Sequence, residues 1–140
     1  MISRRSMLVL GALASLGALG VACKQEPRCG NCGMKLDPAS PWTSELTGPH
    51  PEKYDTPRCA LTAWRRGRAD VTGVRVLDYY DRASKDGAML VFVTGSDVLG
   101  PMGADVIPVA PEHADRFVKD HGGKKLKLDE VTLPLLEALK

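Results

Sequence analysis

Between residues 29 and 34 the chain reads Cys29-Gly30-Asn31-Cys32-Gly33-Met34. No other segment so restricts what this chain can fold into. Two thiols and a thioether within six residues require a tight turn. Gly30 and Gly33 allow a backbone nest whose amides can donate to sulfur. Soft sulfur donors of this kind select Cu(I) or Zn(II) over hard cations. The motif starts six residues after Cys23, and one more cysteine, Cys59, follows it.

The segment upstream reads as an address. Arg4 and Arg5 form a positive n-region, and Met7 to Ala22 is an uncharged run rich in Leu, Ala and Gly. That run is shorter than the roughly 20 residues a spanning helix needs. Residues 1–22 are therefore expected to be a signal peptide. Ser3-Arg4-Arg5-Ser6-Met7-Leu8 resembles a twin-arginine export signal, and both the Sec and Tat routes stay open. Gly20-Val21-Ala22-Cys23 resembles a bacterial lipobox, with Gly20 where an aliphatic residue usually stands. Cys23 is the expected lipidation site, since a diacylated cysteine carries the two chains that stable anchoring needs. Lys24 resembles the residue that sorts lipoproteins to the outer rather than the inner membrane. The expected location faces the periplasm.

Cleavage there leaves 118 residues, enough for one compact unit or two very small ones. It removes two of the 19 basic residues, leaving 17 against 17 acidic ones. With no charge block, nucleic acid is excluded as a partner. With two Trp, three Tyr and two Phe, the core must be mainly aliphatic. A lipidated Cys23 leaves Cys29, Cys32 and Cys59, an odd set that cannot all pair within the chain. An exported thiol left unpaired needs a reason, and metal binding supplies one.

The remaining chain predicts an α+β fold of two small ββαβ units in tandem. Residues 23–28 form a tether, 29–84 the first unit and 85–140 the second. In the first unit, residues 42–47 alternate as a strand, Gly48-Pro49-His50-Pro51 turns, and 53–55 return. Thr56 can cap a helix that Pro57 opens and Gly67 ends, with Cys59 in its first turn. Residues 71–80 read as a strand, and Asp81 to Gly87 as a polar turn between the units. In the second unit the strands are 88–93, 105–109 and 125–131. The glycine-rich loop 95–103 carries Met102, Pro111 opens a helix to His121, and residues 133–140 close the chain as a short helix. Pro57-Arg58-Cys59-Ala60 lies opposite Pro111-Glu112-His113-Ala114, a weak internal repeat that sets His113 against Cys59.

Several chemistries fit these residues. A Cys-x2-Cys turn with a helix-start cysteine resembles a treble-clef zinc layout, which wants four ligands. His50 is the candidate fourth, between two prolines. A Cys29–Cys32 disulfide is a second reading. A thioredoxin-like exchange role fits poorly, because that motif should open a helix after a strand, and here Gly33 follows and Pro38 and Pro41 interrupt. The helix start also favours a thiolate at Cys59. A methionine is usually a core filler, but Met34 follows Cys-Gly directly and Met102 lies in a Gly-Pro-Met-Gly loop. His121, at a helix end, reads as a capping cation, and His113 as a surface residue. No paired carboxylates or nucleophile elbow are present, so a hydrolase is not expected.

Four features in order resemble the NosL family of copper-binding lipoproteins. They are the lipobox cysteine, Cys32-Gly33-Met34, Tyr54-Asp55-Thr56-Pro57-Arg58-Cys59, and Gly100-Pro101-Met102-Gly103 through Phe117 to His121-Gly122-Gly123. The resemblance implies an exported Cu(I) metallochaperone, not an enzyme. It would be anchored by lipid on Cys23 and serve a client such as nitrous oxide reductase or its ABC-type maturation machinery. Carried over by motif, Cys32, Met34 and Met102 become candidate copper ligands. Histidine is a further implied ligand type, with His50, His113 and His121 open. This chain departs from the family pattern by also having Cys29. The candidate metal residues are thus Cys29, Cys32, Met34, Met102 and Cys59, for Cu(I) with zinc as the alternative. A zinc- or disulfide-stapled interaction module and an exported thiol oxidoreductase remain the competing readings.

Overall fold

The computed structural model describes residues 23–140. The expected signal segment, 1–22, lies outside the described residues. Among those described, no helix is long and apolar enough to cross a membrane.

The elements that sequence makes most explicit are those around the first helix. Strand β1 (Ser44–Thr47) turns into β2 (Glu52–Tyr54), and α1 (Pro57–Arg65) follows. Thr56 is its N-cap, with Oγ1 accepting a hydrogen bond from Cys59 N at 3.2 Å, and Pro57 needs no partner at the first helical position. Next come β3 (Gly73–Leu77) and β4 (Ser84–Asp86). The four strands form an antiparallel sheet in the order β2-β1-β3-β4, with Leu46 opposite Val74.

β4 departs from the expected polar turn. Its residues are polar and show no apolar alternation, which hid it in the sequence. It holds as an edge strand because Lys85 Nζ reaches Asp78 Oδ2 (2.8 Å) and Asp81 Oδ2 (2.6 Å), while Arg75 Nη2 donates to Ser84 O at 2.9 Å. Charged edge strands of this kind also resist further pairing.

The second half begins with β5 (Val91–Thr94). A tight ribbon, β6 (Leu99–Gly100) with β7 (Gly103–Ala104), stands where a simple loop was expected, with Pro101 and Met102 at its tip. Then follow β8 (Ile107–Val109), α2 (Ala114–His121), β9 (Lys124–Leu126) and α3 (Leu133–Ala138). Pro111–His113 form a single 3-10 turn leading into α2, and Gly122 ends the helix at φ 73°. The expected strand 125–131 stops at Leu126, because Leu128–Glu130 coil into a 3-10 turn closed by Glu130 Oε2 on Lys127 N at 2.6 Å. β5 is central in a three-stranded antiparallel sheet ordered β8-β5-β9, as β1 is central between β2 and β3.

One core draws on both halves. Leu46, Leu61, Val74 and Val76 of the first pack with Leu90, Phe92, Val106 and Leu136 of the second, all nearly inaccessible to solvent. A smaller cluster of Val93, Ile107, Val109 and Phe117 lies between the second sheet and α2. Buried aliphatic and aromatic side chains contribute about 1.5–3 kcal/mol each, so the halves are held together by the same apolar interior.

Candidate metal centre

The turn at 29–34 is closed by its own backbone. Cys29 N donates to Met34 O at 2.8 Å and Gly33 N to Cys29 O at 2.9 Å, with Arg28 and Lys35 bridged beyond them. Gly33 sits at φ 76°, a conformation that side-chain-bearing residues avoid. The turn lies against the start of α1. Cys29 and Cys59 are each 3% exposed and Cys32 is half-buried.

These three thiols meet a fourth donor, the Asp55 carboxylate. One ligand atom from each of Cys29, Cys32, Asp55 and Cys59 lies within 4.8 Å of all the others. Cys32 Sγ–H donates to Asp55 Oδ2 at 3.3 Å, whereas the buried Asp55 Oδ1 has no hydrogen-bond partner. Asn31 Nδ2 donates to Cys59 Sγ at 3.4 Å, and Arg66 Nη1 donates to Asn31 Oδ1 at 3.5 Å. A side-chain amide is thus aimed at the Cys59 sulfur, while within the turn the Met34 backbone hydrogen-bonds to Cys32.

Burial dominates the thiol chemistry. It pushes the Cys32 thiol up to about 11, with hydrogen bonding to Cys29 and Asp55 acting in the same direction and the Met34 backbone opposing. Burial also pushes Cys59 up, against the hydrogen bond from Asn31. A thiolate favoured by the helix start, as the sequence suggests, is therefore not what the pocket produces. Desolvation of the charged form outweighs the helix N-terminus. Cys32 and Cys59 are therefore held as neutral thiols, and a metal must displace their protons.

Met34 is 41% exposed on the turn, and Met102 is 46% exposed. A groove of about 270 Å³ runs beside the cluster, lined by Asn31, Cys59, Arg66, Met102 and Glu137 among others. Cys59 thus shares an open wall with the Gly-Pro-Met-Gly tip. Arg58 fixes that tip. Its backbone N donates to Asp105 Oδ1 at 2.8 Å, and its guanidinium donates to Ala104 O at 3.1 Å and Leu139 O at 2.6 Å.

No histidine belongs to the cluster among the described residues. His50 is exposed in the turn between β1 and β2. His113 packs against the Tyr80 ring, with centroids 5.1 Å apart, and its buried Nδ1 lacks a partner. His121 Nδ1 pairs with Asp97 Oδ1 at 2.8 Å. Asp55, the donor the sequence reading missed, carried one usable signal. It precedes the N-cap of the helix that carries Cys59, four positions from that cysteine.

The chain is a small α+β protein with a sulfur-rich cluster able to hold a metal ion. The NosL family model matches residues 20–136, and the chain belongs to that family. Its fold is similar to that of a solved structure, the copper chaperone NosL from Shewanella denitrificans. The TM-score is 0.66 at 22% identity, over 76% of this chain and 90% of that one. A search of curated proteins gives no match.

Proposed function

We propose that the chain is an exported, membrane-anchored Cu(I) metallochaperone that passes copper to a periplasmic client. Nitrous oxide reductase, or its ABC-type maturation machinery, is the client proposed. The observation carrying this reading is the cluster of three cysteine sulfurs and a carboxylate within 4.8 Å, beside an open groove that reaches Met102. Family membership supports it, as does the likeness to a copper chaperone.

Cu(I) is the cargo. Thiolate sulfur suits this soft d10 ion, and low coordination leaves room for exchange. The groove offers an approach by which a partner's sulfur or imidazole can add to copper before a cysteine leaves. Met102 at the groove's rim is the residue proposed to share the ion during that exchange. No bond of a substrate is made or broken, so the role is not enzymatic. Cys23, exposed at the start of the tether, is the proposed lipid attachment.

Anaerobic titration of the reduced chain with Cu(I) and Zn(II), each against a competing chelator, tests this. Copper is expected to bind with an affinity far above that for zinc. A zinc complex that survives chelation while copper does not, with loss of fold on zinc removal, would make the pocket a structural staple. Turnover of disulfide substrates through Cys29 and Cys32 would make it an oxidoreductase.

A further inference from the structure

The geometry points to Asp55 as the residue that sets metal specificity in this pocket, adding an oxygen ligand for a borderline divalent ion of the Zn(II) class that Cu(I) does not need. This rests on reading the pocket as a metal site, and it concerns which ions that site accepts.

Asp55 is only 8% exposed, and Oδ1 is buried with no partner. Leaving a buried carboxylate oxygen unpaired is costly, about 1–3 kcal/mol or more. Its second oxygen already accepts from Cys32 Sγ. That carboxylate stands among three thiols, with one ligand atom from each of the four residues within 4.8 Å of all the others, which is the placement of a ligand. Three thiolates and one carboxylate make a four-donor set with the ligand types zinc uses, and zinc takes tetrahedral coordination. Thiolates about 2.3 Å from a zinc ion stand about 3.8 Å apart. Donors now within 4.8 Å of one another therefore need to close by only about 1 Å.

Cu(I) makes a different demand on the same residues. A soft monovalent ion is satisfied by the sulfurs and gains little from a hard oxygen. The two ions therefore depend on Asp55 to different extents, although they share the cysteines. The missing histidine supports the assignment. Among the described residues no imidazole joins the cluster, so Asp55 is its one non-sulfur donor.

Asp55→Asn separates these demands, because it keeps the size of the side chain and removes the anionic ligand. Zn(II) affinity, read by chelator competition, should fall at least about tenfold, the loss that even an outer-shell partner's removal produces. Cu(I) affinity should change by less than about threefold, given the preference of that ion for sulfur. Equal losses for both metals, or no loss for zinc, would overturn the assignment. If Asp55→Asn does not fold, X-ray absorption at the zinc edge of the wild-type complex decides. Three sulfurs near 2.3 Å and one oxygen near 2.0 Å are expected, and a shell without oxygen refutes it. Wild-type binding of copper but not zinc removes this inference and leaves the chaperone reading standing. Asp55-dependent zinc binding without copper binding does the reverse.

Discussion

Asp105 Oδ1 accepts the backbone N–H of Arg58 at 2.8 Å, across 47 positions of sequence. The same oxygen accepts Val106 N at 2.8 Å. A residue of the second half thereby satisfies one of the free amides in the first turn of α1, a group every helix start must place somewhere. Cys59 is the next residue on that turn, and Met102 lies three positions before Asp105. The bond therefore ties the helix start that carries a candidate thiol ligand to the segment that follows the methionine at the rim of the groove.

Asp105→Ala should expose this dependence. The buried Val106 amide and the half-buried Arg58 amide lose their acceptor, and an unsatisfied buried group costs about 1–3 kcal/mol. Urea unfolding of the apo protein near pH 4, where the native Asp105 carboxyl is neutral, should show a loss of at least about 2 kcal/mol on that basis. A variant with wild-type stability would mean that water replaces the carboxylate and that the bond does not hold the halves in register.

The same residue predicts a dependence on pH. Burial pushes the Asp105 carboxyl up to about 6 from its ordinary 3.8, against the hydrogen bonds from Thr56, Val106 and Arg58. Its neutral form is thus favoured in the native state. The stability it contributes is complete below the unfolded value, near pH 4, and is lost as pH rises through about 6. A shift of about two units corresponds to about 3 kcal/mol. Asp105→Asn keeps the oxygen acceptor and cannot ionise. Melting temperatures of the two proteins should converge near pH 4, with the variant the more stable at pH 7. Parallel profiles from pH 4 to 7 would remove Asp105 as the cause.

Copper binding should carry its own proton signature. Cys32 is pushed up to about 11 and Cys59 is also raised, so each thiolate formed on binding releases a proton at neutral pH. Apparent Cu(I) affinity should rise between pH 6 and 9, by about tenfold per unit for each thiol that binds. Competition titrations at several pH values, corrected for the chelator's own titration, measure the slope. A flat profile would exclude newly deprotonated thiols as ligands.

How much of this pocket could be read in advance differs residue by residue. The Thr56-Pro57 start of α1 was legible because both residues act through backbone rules that hold in any context. Gly122 was legible for the same reason. β4 was not, since Ser84-Lys85-Asp86 lack alternation and depend on Arg75, Asp78 and Asp81 for their place. Asp55 escaped because an aspartate before an N-cap looks like ordinary turn chemistry. Only the fold that brings Cys32 against it from 23 residues away makes it a donor. The helix-start argument for a Cys59 thiolate was correct as local electrostatics. It failed because the cysteine is buried, which local sequence does not reveal.

Cys32 separates binding from folding. It is half-buried, whereas Cys29 and Cys59 are nearly inaccessible. Cys32→Ser should leave the melting temperature of the apo protein close to wild type, because little apolar contact is lost and the hydroxyl can still donate to Asp55. Cu(I) affinity should fall at least about tenfold, or about 1.4 kcal/mol. Cys59→Ser should lower both, since it sets a hydroxyl in a buried site beside the core. Unchanged copper affinity in Cys32→Ser would move the ion away from the Cys-x2-Cys turn.

Met102 tests whether the groove takes part in holding copper. The side chain is 46% exposed at the tip of a two-stranded ribbon, on a groove shared with Asn31 and Cys59. A buried methionine cut back to alanine costs about 2–5 kcal/mol. Met102 lacks that burial, so Met102→Ala should melt within a few degrees of wild type. If its thioether shares the ion, Cu(I) affinity should drop about tenfold, equivalent to about 1.4 kcal/mol. Zn(II) affinity should be unaffected, since zinc takes thiolate, imidazole and carboxylate ligands rather than thioethers. The paired measurement is a competition titration with each metal and a thermal melt of the apo protein. A large fall in melting temperature with copper affinity intact would make Met102 a packing residue. Copper would then rest on the cysteine cluster alone.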